Sequence, residues 1–133
     1  MRLGWTRAAT VSLQLLAAIL ILGAHSGPAG AHSVLIESSP KDKEVLSRAP
    51  VEVVLRFSAK IEKPLTRLSL TAGNGRVIPL PAAPQKAGSD APDRLVIPLP
   101  SLGPGEYVLR YTVLATDGHA TSGILRFSVV GGP

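Results

Sequence analysis

The sequence predicts an all-β fold, a Greek-key β-sandwich of about seven short strands. Apolar and polar residues alternate with a period of two, most clearly in residues 51–57 and 106–116. Glycine, proline, asparagine and aspartate separate such segments at regular intervals. Helical periodicity is nearly absent, and Pro64 limits any helix in "AKIEKPL" to about one turn.

The alternating segments give the expected strands in chain order. They are residues 34–37, 51–57, 66–71, 76–80, 94–100, 106–116 and 124–130. Between the third and fourth, "AGNG" predicts a hairpin turn in which Asn74 and Gly75 supply the positive φ angles. The proline-rich stretch 81–93 predicts a loop, and "DGHATSG" is expected to join the last two strands.

The N-terminal region has the pattern of a secretory signal peptide. Residues 8–22 carry no charge and follow Arg2 and Arg7. The alternative is a transmembrane anchor, but the run is shorter than the roughly 20 residues that span a bilayer. Cleavage before His32 would leave Ala29 and Ala31 at the two positions where the protease needs small residues. We therefore predict a signal peptide at residues 1–31 and a working domain at 32–133, with an exported, periplasmic or extracellular location.

Composition restricts what the domain can do. The chain has no cysteine, so it has no disulfide, no thiolate ligand and no cysteine to carry a lipid anchor. Loss of residues 1–31 removes two arginines and lowers the formal net charge from +5 to +3. The remaining basic residues form no run, and aromatic residues make up only 4% of the sequence, so nucleic-acid binding has no support.

Two histidines remain after cleavage, His32 and His119, and both are candidate metal ligands. As the first residue, His32 would offer a free α-amine and an imidazole Nδ1 that can close a chelate ring. An α-amine titrates near pH 8 and gives up its proton when a metal competes for it. The alternative is a frayed chain end without partners.

Asp117 and His119 form the second candidate feature. If both are extended, they point to the same side of the chain, and Gly118 lets the backbone bend between them. The alternative is an ordinary Asp-Gly loop with no ligand. If His32 meets this pair, three nitrogens and one oxygen suit copper(II) best, nickel(II) second and zinc third. Met1 is the single methionine and leaves with the signal peptide, so no soft copper(I) site is expected.

Two long stretches resemble the CopC family of copper-resistance proteins. "AHSVLIESSPKDKEVLSRAPVEVVLRFSAKIEKPLTRLSL" is similar to the family's opening, with a histidine, a short strand, an "SxP" turn and a strand ending in "LxFS". "PGEYVLRYTVLATDGHATSGILRFSV" is similar to its close, "GxYxVxWxVxSxDGHxxxGxxxFxV". The resemblance runs from residue 32 to residue 130, and these two stretches carry its two ends.

The resemblance implies a cupredoxin-like or immunoglobulin-like sandwich that binds one copper(II) ion in the periplasm for copper homeostasis or resistance. It implies ligation by His32, Asp117 and His119. Two departures from the family stand out: the methionine-rich copper(I) site of some members is missing, and Tyr111 replaces a tryptophan, with an expected effect on packing. No apolar helix follows "FSVVGGP", so we expect no fused permease. A separate membrane permease similar to CopD stays open as a partner of an expected monomer.

We expect a binding protein and not an enzyme. One alternative is a copper-dependent oxidative enzyme such as a polysaccharide monooxygenase, which also uses an N-terminal histidine chelate. It would need an open coordination position and an aromatic surface, and the predicted domain has only Tyr107, Tyr111, Phe57 and Phe127. The other alternative is a metal-free sandwich of the adhesion type.

Overall fold

The computed structural model describes residues 32–81 and 91–132. The predicted signal peptide, residues 1–31, lies outside these residues, as does most of the predicted loop at 81–93. The described part contains eight strands and one turn of 3-10 helix. These are β1 (Leu35–Ser39), β2 (Glu44–Leu46), β3 (Glu52–Phe57), the 3-10 turn (Lys63–Leu65), β4 (Arg67–Ala72), β5 (Val77–Ile78), β6 (Arg94–Pro98), β7 (Gly105–Leu114) and β8 (Ala120–Val129).

The strands form two sheets, one of three strands in the order β1-β3-β6 and one of five in the order β2-β8-β7-β4-β5. The chain crosses repeatedly between the sheets, because β1, β3 and β6 alternate along the sequence with strands of the other sheet. The predicted all-β Greek-key sandwich is therefore confirmed, with eight strands in place of about seven. No helix among the described residues is both long and apolar enough to cross a bilayer.

The core lies between the two sheets and follows the period-two pattern. In β3, Val53, Leu55 and Phe57 are at most 1% exposed, while the residues between them face outward. Tyr111 from β7 meets Phe57 edge-to-face, with ring centroids 5.7 Å apart. Tyr107 stacks on Phe127 at 5.4 Å and donates its hydroxyl to the carbonyl of Gly103 at 2.6 Å. Apolar burial from both sheets thus holds the sandwich without any disulfide.

β7 and β8 are the longest strands and pair antiparallel over ten residues each. β8 begins at Ala120, four residues earlier than expected, because Gly123 lies within the strand and not in the loop before it. Gly123 lies opposite Tyr111, whose hydroxyl and ring occupy the space that a Cβ would need. This glycine makes room for the tyrosine, so Tyr111 acts in packing, as expected.

Three smaller expectations were wrong. β2 was not expected, since its three residues show no alternation and pair parallel with the distant β8. β5 covers only Val77–Ile78 and not 76–80, because Pro79 has no N–H to continue the ladder. In the β4–β5 turn only Gly75 has a positive φ, +82°. The loop has three residues and not two, a type that needs one left-handed residue, and the side chain of Asn74 accepts the backbone N–H of Arg76 at 3.1 Å.

Candidate metal site

A tight turn between β7 and β8 carries Asp117 and His119. The N–H of Gly118 donates to the carbonyl of Ala115 at 2.9 Å, and the N–H of Ala115 donates to the carbonyl of His119 at 2.8 Å. Gly118 has a φ of +89°, which a non-glycine residue rarely adopts. The three-residue loop is therefore a β-turn closed by a left-handed glycine. Asp117 lies inside this turn, so the condition that Asp117 and His119 are both extended is not met, and the Asp-Gly loop named as the alternative is the local backbone structure.

The turn nevertheless brings the two side chains together. One carboxylate oxygen of Asp117, Oδ1, accepts the backbone N–H of His119 at 3.0 Å. The same oxygen lies 3.2 Å from Nδ1 of the His119 ring. The backbone hydrogen bond from His119 is the main cause that holds the pKa of Asp117 below its usual value. Desolvation opposes this effect, while the imidazoles of His119 and His32 add to it. Asp117 is thus a carboxylate at neutral pH.

The same turn occurs a second time in the chain, without histidine. Between β4 and β5, the N–H of Gly75 donates to the carbonyl of Ala72 at 2.9 Å, and the N–H of Ala72 donates to the carbonyl of Arg76 at 2.9 Å. Asn74 occupies the position of Asp117, and Arg76 that of His119. The backbone of the Asp-Gly-His turn is therefore ordinary. Its special features are the imidazole and the residue that approaches it.

That residue is His32, and the segment that follows it is firmly held. Ser33 is completely buried, and its hydroxyl donates to the carbonyl of Ala59 at 3.2 Å. Val34 and Ser58 share two hydrogen bonds. The N–H of Ser58 donates to the carbonyl of Val34 at 2.8 Å, and the N–H of Val34 donates to the hydroxyl of Ser58 at 2.9 Å. That hydroxyl also donates to the carbonyl of His32 at 3.2 Å. The described start of the chain is therefore not frayed.

The segment that holds His32 also holds the turn. Just after Ser58 and Ala59, Ile61 forms a β-bridge with Ala115. The N–H of Thr116 donates to the carbonyl of Lys60 at 3.2 Å. One short stretch after β3 thus fastens both the start of the domain and the β7–β8 turn.

As a result, His32 and His119 are neighbours, although 86 residues separate them in the sequence. Their ring centroids are 5.0 Å apart at an interplanar angle of 79°. Both residues are exposed, so the pair faces solvent. The structure therefore places His119 beside each of the other two candidate residues, His32 and Asp117.

The side chains alone do not form a complete metal-binding group. Within residues 32–81 and 91–132, no three His, Cys, Asp or Glu side chains converge closely enough to hold an ion. One oxygen of Asp117 is bonded to His119. The α-amine of His32 is a peptide nitrogen in the uncleaved chain and becomes a donor only when residue 31 is removed. The donor types still fit copper(II), which prefers nitrogen with some oxygen.

Sequence reasoning missed the residues that position the site. Ser33, Ser58 and Ala59 were not singled out, because their role depends on contacts between distant parts of the chain. The available signal was a serine directly after His32, in "HSV", and another directly after the end of β3, in "FSA". A serine that caps a strand end is common in any loop, so this signal is weak.

The chain matches known proteins along nearly the whole described part. The family model of the CopC domain matches residues 35–130, a range that includes Asp117 and His119 and begins three residues after His32. Protein YobA of Escherichia coli K12 is 32% identical over 120 residues, which cover 89% of this chain and 94% of YobA.

Two solved structures are similar in fold. The crystal structure of CopC from Methylosinus trichosporium OB3b has a TM-score of 0.67 and 30% identity, covering 75% of this chain and 95% of that one. PcoC, a methionine-rich copper resistance protein from Escherichia coli, has a TM-score of 0.61 and 26% identity, covering 74% of this chain and 99% of that one.

Proposed function

Because the chain belongs to the CopC domain family, we propose that it is an exported protein that binds one copper(II) ion through His32, Asp117 and His119. The family consists of copper-binding resistance proteins and not of enzymes, in agreement with the expectation of a binding protein. The observation that supports the proposed site is the 5.0 Å separation of the His32 and His119 rings. Two imidazoles at that distance need little movement to face one ion.

The N-terminal amine supplies the donor that the side chains lack. We propose cleavage before His32, which frees the amine beside an imidazole that already lies against His119. Ser33 limits how far the new terminus can move, since its side chain is fully buried and bonded to Ala59. The chelate therefore loses less conformational entropy on binding than a free chain end would lose. The resulting donor set is one amine, two imidazole nitrogens and one carboxylate.

Asp117 can act on copper in two ways, one for each of its carboxylate oxygens. Its Oδ1 lies against Nδ1 of His119, which leaves Nε2 of that ring for the metal, an arrangement common for ligating histidines. Its second oxygen is not bonded in the described structure and can ligate the ion directly. In both cases the negative charge offsets part of the copper(II) charge.

The exposed surface gives little support to the oxidative-enzyme alternative. Phe57, Tyr107, Tyr111 and Phe127 are between 1% and 6% exposed, so all the aromatic residues of the described part are in the core. None is left at the surface beside His32 and His119 to stack on a sugar ring.

We also propose where copper goes. CopC-family proteins are periplasmic, and the predicted signal peptide at residues 1–31 would take this chain there or outside the cell. We propose that the monomeric domain sequesters copper(II) or delivers it, with a CopD-like membrane permease as a candidate recipient. The exposed position of both histidines suits transfer, because a partner can reach them without unfolding the sandwich.

Blocking the amine tests this proposal. Three forms of the domain are compared: one that starts at His32, one that keeps Ala31, and one that starts at His32 with an acetylated amine. Competitive titration should show copper(II) affinity lower by orders of magnitude for the second and third forms, while their metal-free melting temperatures match that of the first. Equal copper(II) affinity for all three forms would show that the amine is not a ligand. No binding by any form would refute the proposed function.

A further inference from the structure

The outer face of the five-stranded sheet carries a row of uncompensated arginines. We call it the basic face and define it by Arg67 on β4, Arg110 on β7 and Arg126 on β8, all three exposed. Arg110 pairs with Ser69 and Ile124, whereas Arg67 pairs with Thr112 and Arg126 with Val108. The register makes Arg110 a diagonal neighbour of both other arginines, at about 7–8 Å. The three charges thus form an oblique line across the sheet.

No carboxylate of the described chain forms an ion pair with this line. Arg110 donates to the hydroxyl of Thr71 at 3.3 Å, and none of the three arginines takes part in an ion pair with a described residue. The nearest acidic groups lie beside Arg126. Glu106 is its other diagonal neighbour on β7 and also lies over Gly73, and Asp42 accepts the backbone N–H of Arg126.

The opposite outer face is different. On the three-stranded sheet, Arg56 forms an ion pair with Glu37 at 2.8 Å, and Arg94 pairs in register with Arg56. Glu52 lies on the same strand as Arg56 and on the same side. Positive and negative charges are therefore mixed there. Of the two sheet faces, only that of the five-stranded sheet therefore has an excess of positive charge.

The basic face also extends to the β7–β8 turn that carries Asp117 and His119. β7 ends and β8 begins at the Leu114–Ala120 pair, and Ala120 directly follows His119. An open cavity of about 550 Å³ lies there, lined by Leu65, Thr66, Arg67, Leu114 and Ala120 among others. Within the described structure the hydroxyl of Thr66 is buried without a hydrogen-bond partner. Arg67, the first charge of the line, thus shares a cavity with the neighbour of a proposed copper ligand.

We propose that the basic face is the docking surface for an acidic protein partner, and that docking places the partner's edge at the His32–His119 pair. This inference depends on the proposed function in one respect only, which is that copper is the ion passed between the two proteins at this pair. Arginine binds carboxylates through two parallel hydrogen bonds. The Ser and Thr hydroxyls between the arginines and the 42% exposed Ile124 complete the mixture typical of protein interfaces.

Other anionic partners fit less well. The described part exposes no Phe or Tyr ring on which nucleic-acid bases could stack, since all four are buried. A membrane-bound surface needs a broad apolar area to insert among lipids, whereas the basic face has only Val108 and Ile124 among its arginine and hydroxyl side chains. A flat array of carboxylates on a folded protein matches it best.

The test uses the metal-free domain starting at His32. The probe is a peptide of about ten glutamates with an acetylated N-terminus and an amidated C-terminus. In nuclear magnetic resonance titrations, the shift changes should map to β4, β7 and β8. Arg110→Glu should weaken binding about tenfold, because it removes attraction and adds repulsion. Arg94→Glu on the opposite sheet makes the same charge change and should stay within about twofold.

Equal weakening by the two variants, or shift changes centred on the three-stranded sheet, would overturn the proposal. So would binding to phosphatidylglycerol vesicles without binding to the peptide. The copper site is tested separately on the same variants. Arg110→Glu should keep its copper(II) affinity, and His119→Ala should keep its peptide affinity. If His119→Ala keeps copper instead, the proposed function fails while the docking surface stands.

Discussion

Asp117 and Asn74 occupy the same position in two turns of the same kind. Each accepts the backbone N–H two residues later, at 3.0 Å for Asp117 and 3.1 Å for Asn74. The turn therefore needs an acceptor oxygen at this position but no charge. The charge of Asp117 has its use at the neighbouring imidazole, and this separates its structural role from its proposed role at the metal.

Exchange of the two residue types tests this separation. Asp117→Asn keeps the acceptor, so the metal-free melting temperature should stay close to that of the wild type. Copper(II) affinity should fall about 10-fold to 100-fold, since the ion loses a carboxylate partner. Thermal unfolding and competitive titration measure the two effects. The reciprocal control, Asn74→Asp, should leave copper affinity unchanged. An Asp117→Asn domain that binds copper like the wild type would show that the carboxylate has no role there.

Tyr111 gives a pH prediction that does not depend on metal. Burial raises the pKa of its phenol above the ordinary value, and the Asp42 carboxylate adds to the rise. The folded state thus holds this proton more tightly than the unfolded state. The stability it contributes is fully present below the unfolded pKa, near pH 10, and is lost as the pH rises through the folded pKa.

Tyr107→Phe makes this measurable, because it leaves Tyr111 as the single tyrosine. Phenolate absorbance should appear at higher pH in the folded domain than in urea, and the melting temperature should drop above pH 10. Coincident titrations in the folded and unfolded states would show that the core does not affect this phenol.

At the scale of the element, the β7–β8 turn depends on one glycine. Gly118 at φ +89° and Gly75 at φ +82° are both in the left-handed region, and neither has an atom within 4 Å of an added Cβ. An alanine at either position therefore meets backbone strain and no clash. The two glycines form a matched pair, one at the candidate site and one away from it.

Gly118→Ala and Gly75→Ala should each lower the free energy of unfolding by about 1–2 kcal/mol. Only Gly118→Ala should also weaken copper binding, because it shifts Asp117 and His119 relative to His32. Urea unfolding and copper titration of the two variants distinguish these effects. Copper binding weakened equally by Gly75→Ala would mean that general destabilisation, and not the turn, controls the affinity.

The sequence could predict long elements but not those that depend on a distant partner. β3 and β7 were predicted within two residues because alternation over six or more residues is a local property. β2 was missed because it exists through parallel pairing with β8. Gly123 was predicted to lie in the loop before β8, because only the fold shows that Tyr111 lies opposite it.

At the scale of the whole molecule, the sandwich brings together residues that composition could only list. Counting singles out His32 and His119 as the two histidines of the predicted domain, whereas Asp117 follows from its place two residues before His119 and from the resemblance to the CopC family. The two histidines meet because the stretch after β3 holds both ends. The burial of Ser33 could not be predicted from the sequence, because it depends on Ala59. The same topology puts the metal turn at one end of the basic face, so metal binding and docking can act together.

The central claim is that His32 and His119 bind the same copper(II) ion. Pulsed electron paramagnetic resonance tests it most directly by counting the imidazoles on copper in the domain that starts at His32. The account predicts two imidazoles in the wild type and one in His119→Ala, with unchanged copper binding in Arg94→Glu as a control. A single imidazole in the wild type, or the same count after His119→Ala, would contradict it.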